Sequence, residues 1–339
     1  MALKWHRNWL LGIVPTATAL GLTTGTLFTI AHRMVNELTR PGMALSDDAL
    51  VWGGWHFPHD DPEPPAVLQR SLTFAAPGGP RLQGDFWAQP QPAPTIILSH
   101  GFRVPRVKMR AVAALEYRHG SNVLLFDYRG HGDSADAVVS GGTAEVHDLA
   151  AAVDCAVRQP ETQPGNIFIH GFSMGAAVAL LLPPRPEIAG IIADSPYAHL
   201  DEMLERIISM QVAAMLQGGP RIVRGLRRLA PAISRVVLPG GRLLFRLRFR
   251  YDLIARPERA IHRWFKSRDV PPPVLLFHTR HDPLIPLRHA ETIATAITAC
   301  GVPVRLVVME SDIHCGAYGH DPQTYMAEIL QFVQAHRIP

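Results

Sequence analysis

The chain has 339 residues, 47% of them hydrophobic, with 33 Lys+Arg against 29 Asp+Glu and a formal net charge of +4. That content supports one large core, or a core with an insertion, and excludes low-complexity disorder over most of the length. So slight a basic excess, with no zinc-finger or RNP-type motif, excludes a nucleic-acid-binding protein, and three scattered cysteines, Cys155, Cys300 and Cys315, make neither a disulfide framework nor a metal-binding pair.

From the amino terminus, Lys4, His6 and Arg7 precede an uncharged run over residues 9–31. At about 1.5 Å of rise per residue, a helix there reaches roughly 30 Å, the thickness of a bilayer's hydrocarbon layer. Trp5 and Trp9 fall at headgroup level, and Pro15 is tolerable inside a membrane helix. Residues 1–33 therefore read as a membrane anchor, and the basic start favours an inside N-terminus with the rest of the chain outside the cytoplasm. Arg33 and Arg40, just beyond the run, work against that asymmetry. A signal peptide cleaved near Ala17-Thr18-Ala19 and a buried or interfacial helix are the alternatives. Residues 34–66 form a connector whose second half, 55–65, is too rich in proline for a helix.

The texture changes over residues 67–339. Alternating stretches at 68–75 and 82–88 flank Pro77-Gly78-Gly79-Pro80 and predict an antiparallel hairpin. Short, nearly continuous apolar runs follow at 95–99, 123–126, 167–169, 191–193, 274–277 and 304–309. A strand without alternation is covered on both faces, the mark of a mostly parallel sheet. Helix-compatible segments lie between the runs, at about 105–119, 143–158, 175–182, 287–299 and 322–335. The alternation predicts an α/β fold, a mostly parallel central sheet flanked by helices, with ligands bound beyond the carboxyl ends of the strands. About eighty residues separate Asp194 from the run at Val274, far more than one crossover needs. They predict a helical lid inserted at about 199–265.

The strand ends carry the chemistry. The run at 167–169 leads through His170 into Gly171-Phe172-Ser173-Met174-Gly175, then into small residues that suit a helix. Gly-x-Ser-x-Gly at such a junction is a nucleophile elbow: the serine takes a strained backbone and presents its hydroxyl, and the glycines spare clashes. A serine needs a base, and the base needs an orienting carboxylate. Where a serine sits on such an elbow, the acid and then the histidine follow it in the chain. Asp282 lies just past the run at 274–277, and His314 just past the run at 304–309. His320 is the rival base, but Asp321-Pro322 after it looks like a helix start. The oxyanion of an acyl-transfer intermediate needs two backbone N–H donors. Met174, after the nucleophile, supplies one, and Phe102, after His100-Gly101, supplies the other. His100 reads as a brace for that loop, and Cys315 as packing.

These pieces resemble the α/β-hydrolase superfamily over roughly residues 67–336. The matching motifs are Ser99-His100-Gly101, Asp127-Tyr128-Arg129-Gly130-His131-Gly132-Asp133-Ser134, Gly171-Phe172-Ser173-Met174-Gly175-Ala176, Asp194-Ser195-Pro196-Tyr197, His281-Asp282-Pro283-Leu284-Ile285-Pro286 and His314-Cys315-Gly316-Ala317-Tyr318. Within the superfamily the chain resembles membrane-anchored bacterial serine hydrolases related to ABHD-type enzymes. The resemblance implies a structural role for the 129–134 loop. Serine at 173 argues against the dehalogenase branch, which has aspartate there.

The lid segment departs from any such pattern. Residues 221–250 hold nine arginines and no acidic residue, interleaved with apolar side chains. A segment of this kind suits an anionic membrane surface, or a lid helix with a solvated basic face. The expected activity is serine hydrolysis of a carboxylic ester or thioester of moderate to long acyl chain, through an acyl-enzyme on Ser173, with no metal or organic cofactor. A serine peptidase of the prolyl-oligopeptidase or iminopeptidase type is the runner-up. A catalytically silent hydrolase fold acting as a membrane-binding module is the alternative outside enzymes.

Overall fold

The computed structural model describes residues 29, 32, 35–36, 39–40, 68–217, 226–250, 256–264 and 271–338. The run at 9–31 and the connector at 34–66 lie almost wholly outside these residues. Among the described residues, no helix is long and apolar enough to cross a membrane. The chain divides into two compact units, one drawn from Met1–Glu37 and Leu204–Asp252, the other from Leu38–Met203 and Leu253–Pro339.

The larger unit is built on one eight-stranded sheet, ordered β1-β2-β4-β3-β5-β6-β7-β8. Strands β1 (Leu68–Phe74) and β2 (Leu82–Ala88) form the expected hairpin, in register from Leu68 opposite Ala88 to Phe74 opposite Leu82. Gly78, at φ 68°, makes its turn. β2 runs antiparallel to β4 (Asn122–Phe126). From there β3 (Ala93–Ser99), β5 (Thr162–Phe172), β6 (Ile188–Asp194), β7 (Val274–Thr279) and β8 (Val304–Met309) are all parallel. Every residue of β4 and β7 is buried, as expected of strands with helices on both faces.

Around the sheet of this unit lie α1 (Arg110–Arg118), α2 (Glu145–Val157), α3 (Met174–Leu181), α6 (Pro257–Trp264), α7 (Arg288–Thr298), the single turn α8 (Ala317–His320) and α9 (Pro322–His336). Two longer helices, α4 (Leu200–Gln217) and α5 (Ala230–Phe249), fall within the predicted insertion. α4 begins in the larger unit, and α5 lies wholly in the smaller one. Met109, Val112 and Ala113 at α1, and Tyr325, Ile329 and Phe332 of α9, pack with Ile96, Val123, Phe168 and Leu275 of the strands. The alternate strand residues Ile97, Leu124, Ile169 and Leu276 are equally buried and face the other side.

β3 has β4 on one side and β5 on the other, so the chain's successive crossovers diverge at the β3–β5 boundary. This is the switch point at which open α/β sheets bind ligands. The loop after β4 fastens that edge. Arg129 donates to Asp148 through Nε at 2.8 Å and a terminal nitrogen at 2.7 Å, both groups buried. Arg106 meets Asp85, Asp127 and Asp133. A Cβ on Gly132, whose φ is 48°, would fall 2.2 Å from the Asp127 carboxylate. The 129–134 loop thus does structural work. Removing one partner of a buried pair leaves the other charge uncompensated. Asp148→Ala is therefore expected to cost about 3–5 kcal/mol of stability, measured by denaturant unfolding; a loss below about 1 kcal/mol would contradict it.

Candidate active site

β5 ends at Phe172 and α3 starts at Met174, so Ser173 makes the whole turn, at φ 51° and ψ −111°. A non-glycine residue in this region carries about 1–3 kcal/mol of strain and persists only where its surroundings enforce it. Here the Ser173 amide donates to the Asp194 carbonyl at 2.8 Å, and its own carbonyl accepts from Ala177 at 3.0 Å. A Cβ on Gly175 would fall 2.0 Å from the Ser99 carbonyl oxygen, and one on Gly171 would fall 2.6 Å from that of Gly175. Only glycine fits at either flank, which is the physical content of the motif.

The loop after β8 brings His314 to this serine, with Nε2 2.9 Å from the Ser173 hydroxyl. Its Nδ1 is 2.6 Å from Asp282 Oδ2. A carboxylate only accepts, so Nδ1–H donates to Asp282 and Nε2 is left to accept from the hydroxyl. The other Asp282 oxygen accepts from the Leu284 and Ile285 amides, each at 2.8 Å. Burial works against its charge, yet His314, His278 and the Ile285 amide hold the carboxyl below its ordinary range. His278, buried on β7, donates to the Ile285 carbonyl at 2.8 Å and braces the same loop. Ser173, Asp282 and His314 are all buried. His320 is exposed at the end of α8, and Asp321 caps α9 through the Thr324 amide.

The two expected oxyanion donors leave neighbouring strand ends, because Ser99 of β3 pairs with Gly171 of β5. Met174 is the first residue of α3, where amides lack intrahelical partners and the dipole favours negative charge. In the β3 loop, His100 donates through Nδ1 to the Gly101 carbonyl at 2.7 Å and accepts from the Tyr128 amide at 2.9 Å. The Arg103 amide, at φ 62°, donates to His131 Nε2 at 3.1 Å, and that of Val104 to the Gly101 carbonyl at 3.2 Å. The amides after Phe102 are thus committed to the loop itself. Burial pushes His100 down to about 4 and His131 to about 3, so both braces are neutral.

One arrangement has no mark in the sequence pattern. Behind the elbow, Glu116 lies 3.0 Å from His170 Nδ1, and His170 Nε2 lies 2.9 Å from the Tyr325 hydroxyl. Tyr325 donates to Asp194 Oδ2 at 3.1 Å, and Ser195 donates to Asp194 Oδ1 at 2.8 Å. The chain from Glu116 to Asp194 is fully buried. Its three links need three protons, and a phenol and a neutral imidazole bring two, so the chain holds one more. Burial pushes Asp194 up to about 6, against the Ser195 hydroxyl, His170, Tyr325 and His314. The available signals were a histidine inside a buried strand and an aspartate at the end of β6. Cys315, at φ 54°, has its sulfur 3.6 Å from His314 Nε2, and burial holds the thiol well above its ordinary range. It packs there as a thiol.

A serine on a strand-to-helix elbow at the switch point of a mostly parallel sheet, with an acid and a histidine past two later strands, defines the α/β-hydrolase class. A model of the alpha/beta hydrolase family matches residues 96–332, and the chain belongs to that family. It is 29% identical over 247 residues to the uncharacterized protein YqkD of Bacillus subtilis (strain 168), spanning 70% of each chain. It is 23% identical over 260 residues to the thermostable monoacylglycerol lipase of Bacillus sp. (strain H-257), 74% of this chain and 94% of that one. Among solved structures, the Pyrococcus furiosus esterase Pf2001 superposes with a TM-score of 0.59 at 22% identity, over 80% of this chain and 93% of that one. Likeness at that identity concerns the fold.

The neutral braces set a pH dependence. Below their ordinary value of 6.5, His100 and His131 take up protons in the unfolded chain but not in the fold. Each then lowers stability by about 1.4 kcal/mol per pH unit. Asp194 has the opposite sign, since the fold binds its proton more tightly, and it offsets one of the two below about pH 6. His289, which burial pushes down to about 4, and His278, lowered in the same way, add to the loss, so the net expectation is a fall of at least about 3 kcal/mol between pH 7 and 5 by urea unfolding. Stability that is flat or rising over that interval would contradict it.

Proposed function

We propose that the chain is a serine hydrolase acting on carboxylic esters or thioesters through an acyl-enzyme on Ser173. The carrying observation is the continuous hydrogen-bonded line from Asp282 through His314 to the hydroxyl of a serine held at positive φ. In the first step the Ser173 oxygen attacks the carbonyl carbon while His314 Nε2 takes the hydroxyl proton. The Met174 and Phe102 amides stabilise the developing oxyanion. The tetrahedral intermediate collapses as the imidazolium gives its proton to the leaving oxygen or sulfur. Water, deprotonated by the same nitrogen, then attacks the acyl-enzyme, and collapse returns the proton to Ser173 and releases the acid. Asp282 keeps the imidazole in the tautomer this cycle needs and stabilises its charged form.

The ester reading is supported by the kinship with a monoacylglycerol lipase. The apolar character of the insertion and of residues 9–31 favours acyl chains of moderate to long length. Residues 1–33 as an anchor, residues 199–265 as a lid and an extracytoplasmic catalytic domain complete the proposal, on the strength of the sequence.

A fluorophosphonate probe is expected to label the wild type and not Ser173→Ala. That variant should lose about a millionfold in turnover of p-nitrophenyl esters, and Asp282→Asn about ten-thousandfold at neutral pH. Full ester turnover by Ser173→Ala would refute the mechanism. Faster cleavage of aminoacyl-anilides than of any ester would move the assignment to a peptidase, and absence of labelling would leave a non-catalytic module.

A further inference from the structure

Helix α5, in the smaller unit, has two unlike faces. Ala230, Ser234, Val237, Leu238, Gly241 and Phe245 are buried at helical spacing and form its inner side. The outer side of such a helix is ordinarily polar. Here it presents Val236, Leu243 and Leu247, continued by the N-cap Leu229, with exposures of 61%, 59%, 73% and 51%. Spacings of seven, seven and four keep these residues in one line along the helix. Each is directly preceded by an arginine, namely Arg228, Arg235, Arg242 and Arg246, so a row of guanidiniums runs beside the apolar row. The sequence has no acidic residue from Arg206 to Tyr251.

We infer that this outer face of α5 docks on an anionic phospholipid surface. The boundary between headgroups and acyl chains satisfies both rows at once. It takes leucine and valine side chains a few ångströms below the phosphates, while arginines beside them bend back to the phosphate level. Charge complementarity selects anionic lipid, because the stretch that carries the arginine row has no carboxylate of its own from Arg206 to Tyr251. Arg235 meets Glu205 at 3.0 Å, on an exposed pair of the kind that contributes little. A second copy of the chain would bring two like-charged rows together. Nucleic acid would use the arginines but leave the leucines in water. The inference does not depend on residues 1–33 or on the hydrolytic mechanism.

The test uses the full-length chain with Leu247→Trp and vesicles of phosphatidylcholine alone or mixed with phosphatidylglycerol, the lipids carrying brominated acyl chains. With the mixed vesicles, tryptophan emission is expected to be quenched beyond that of the wild type, and the effect should weaken as salt is added. Adding Val236→Glu and Leu243→Glu should abolish the extra quenching and weaken the anionic-vesicle component of binding by about a hundredfold or more. Replacing any one of the exposed arginines Arg228, Arg235 and Arg246 by alanine should weaken that component about fivefold. Circular dichroism and hydrolysis of a short soluble ester check that the variants fold, so a failed hydrolytic reading and a failed docking surface are told apart. Three results would overturn the inference. One is quenching equal to that of the wild type. Another is emission already blue-shifted without lipid and rising with protein concentration, which would mean a second copy covers the face. The last is emission blue-shifted without lipid at all concentrations, which would mean the chain covers the face itself.

Discussion

The site hangs from the hydrogen bond between the Ser173 amide and the Asp194 carbonyl. It continues the pairing of β5 and β6 one step past the register that ends at Phe172 and Asp194. Without it the chain would have no reason to stay in a left-handed turn at a residue with a Cβ. With it, the hydroxyl is lifted off the end of the sheet, and α3 starts close enough to β3 that only glycine fits at 175. Asp194 is itself pinned, through its side chain, by Ser195 and Tyr325, and through Tyr325 by His170 and Glu116. The strain at the serine is thus borne by a buried polar chain that ties α1, β5, β6 and α9 together.

Histidines near this point are sorted by their partners. His100, His131 and His278 give a proton to backbone carbonyls, and burial keeps them neutral braces. His170 faces a carboxylate but is sealed from any reactant by Tyr325 and the sheet. His314 alone among these has a carboxylate on one nitrogen and a serine hydroxyl on the other.

Much of this was legible because it depends on local pattern. Unalternating runs such as Val123-Leu124-Leu125-Phe126 announce a strand covered on both faces, and the glycines around Ser173 announce the elbow. Asp282 and His314 could be placed because each follows directly on such a run. Residues 105–119 read in the sequence as one helix although a 3-10 turn at Arg106–Met109 precedes α1, since a 3-10 start and an α-helix share the same short-range pattern. The Glu116–His170–Tyr325–Asp194 chain was not legible. Its members lie on four elements far apart in sequence, and nothing local marks them as neighbours. The insertion was legible as a length and a charge pattern, but the opposition of its faces had to come from burial. An arginine beside each leucine reads in a string as a mixed segment, and only the helix separates the rows.

The proposed oxyanion donors are main-chain groups, on residues 102 and 174. A main-chain N–H is supplied by any amino acid except proline, whatever its side chain. The Phe102 side chain is only partly buried and can be exchanged without altering the donor at that position. In the proposed mechanism, any substitution at residue 102 other than to proline therefore keeps the donor. On that proposal, side-chain variation at residue 102 is uncoupled from the oxyanion contact, which is encoded in the path of the backbone.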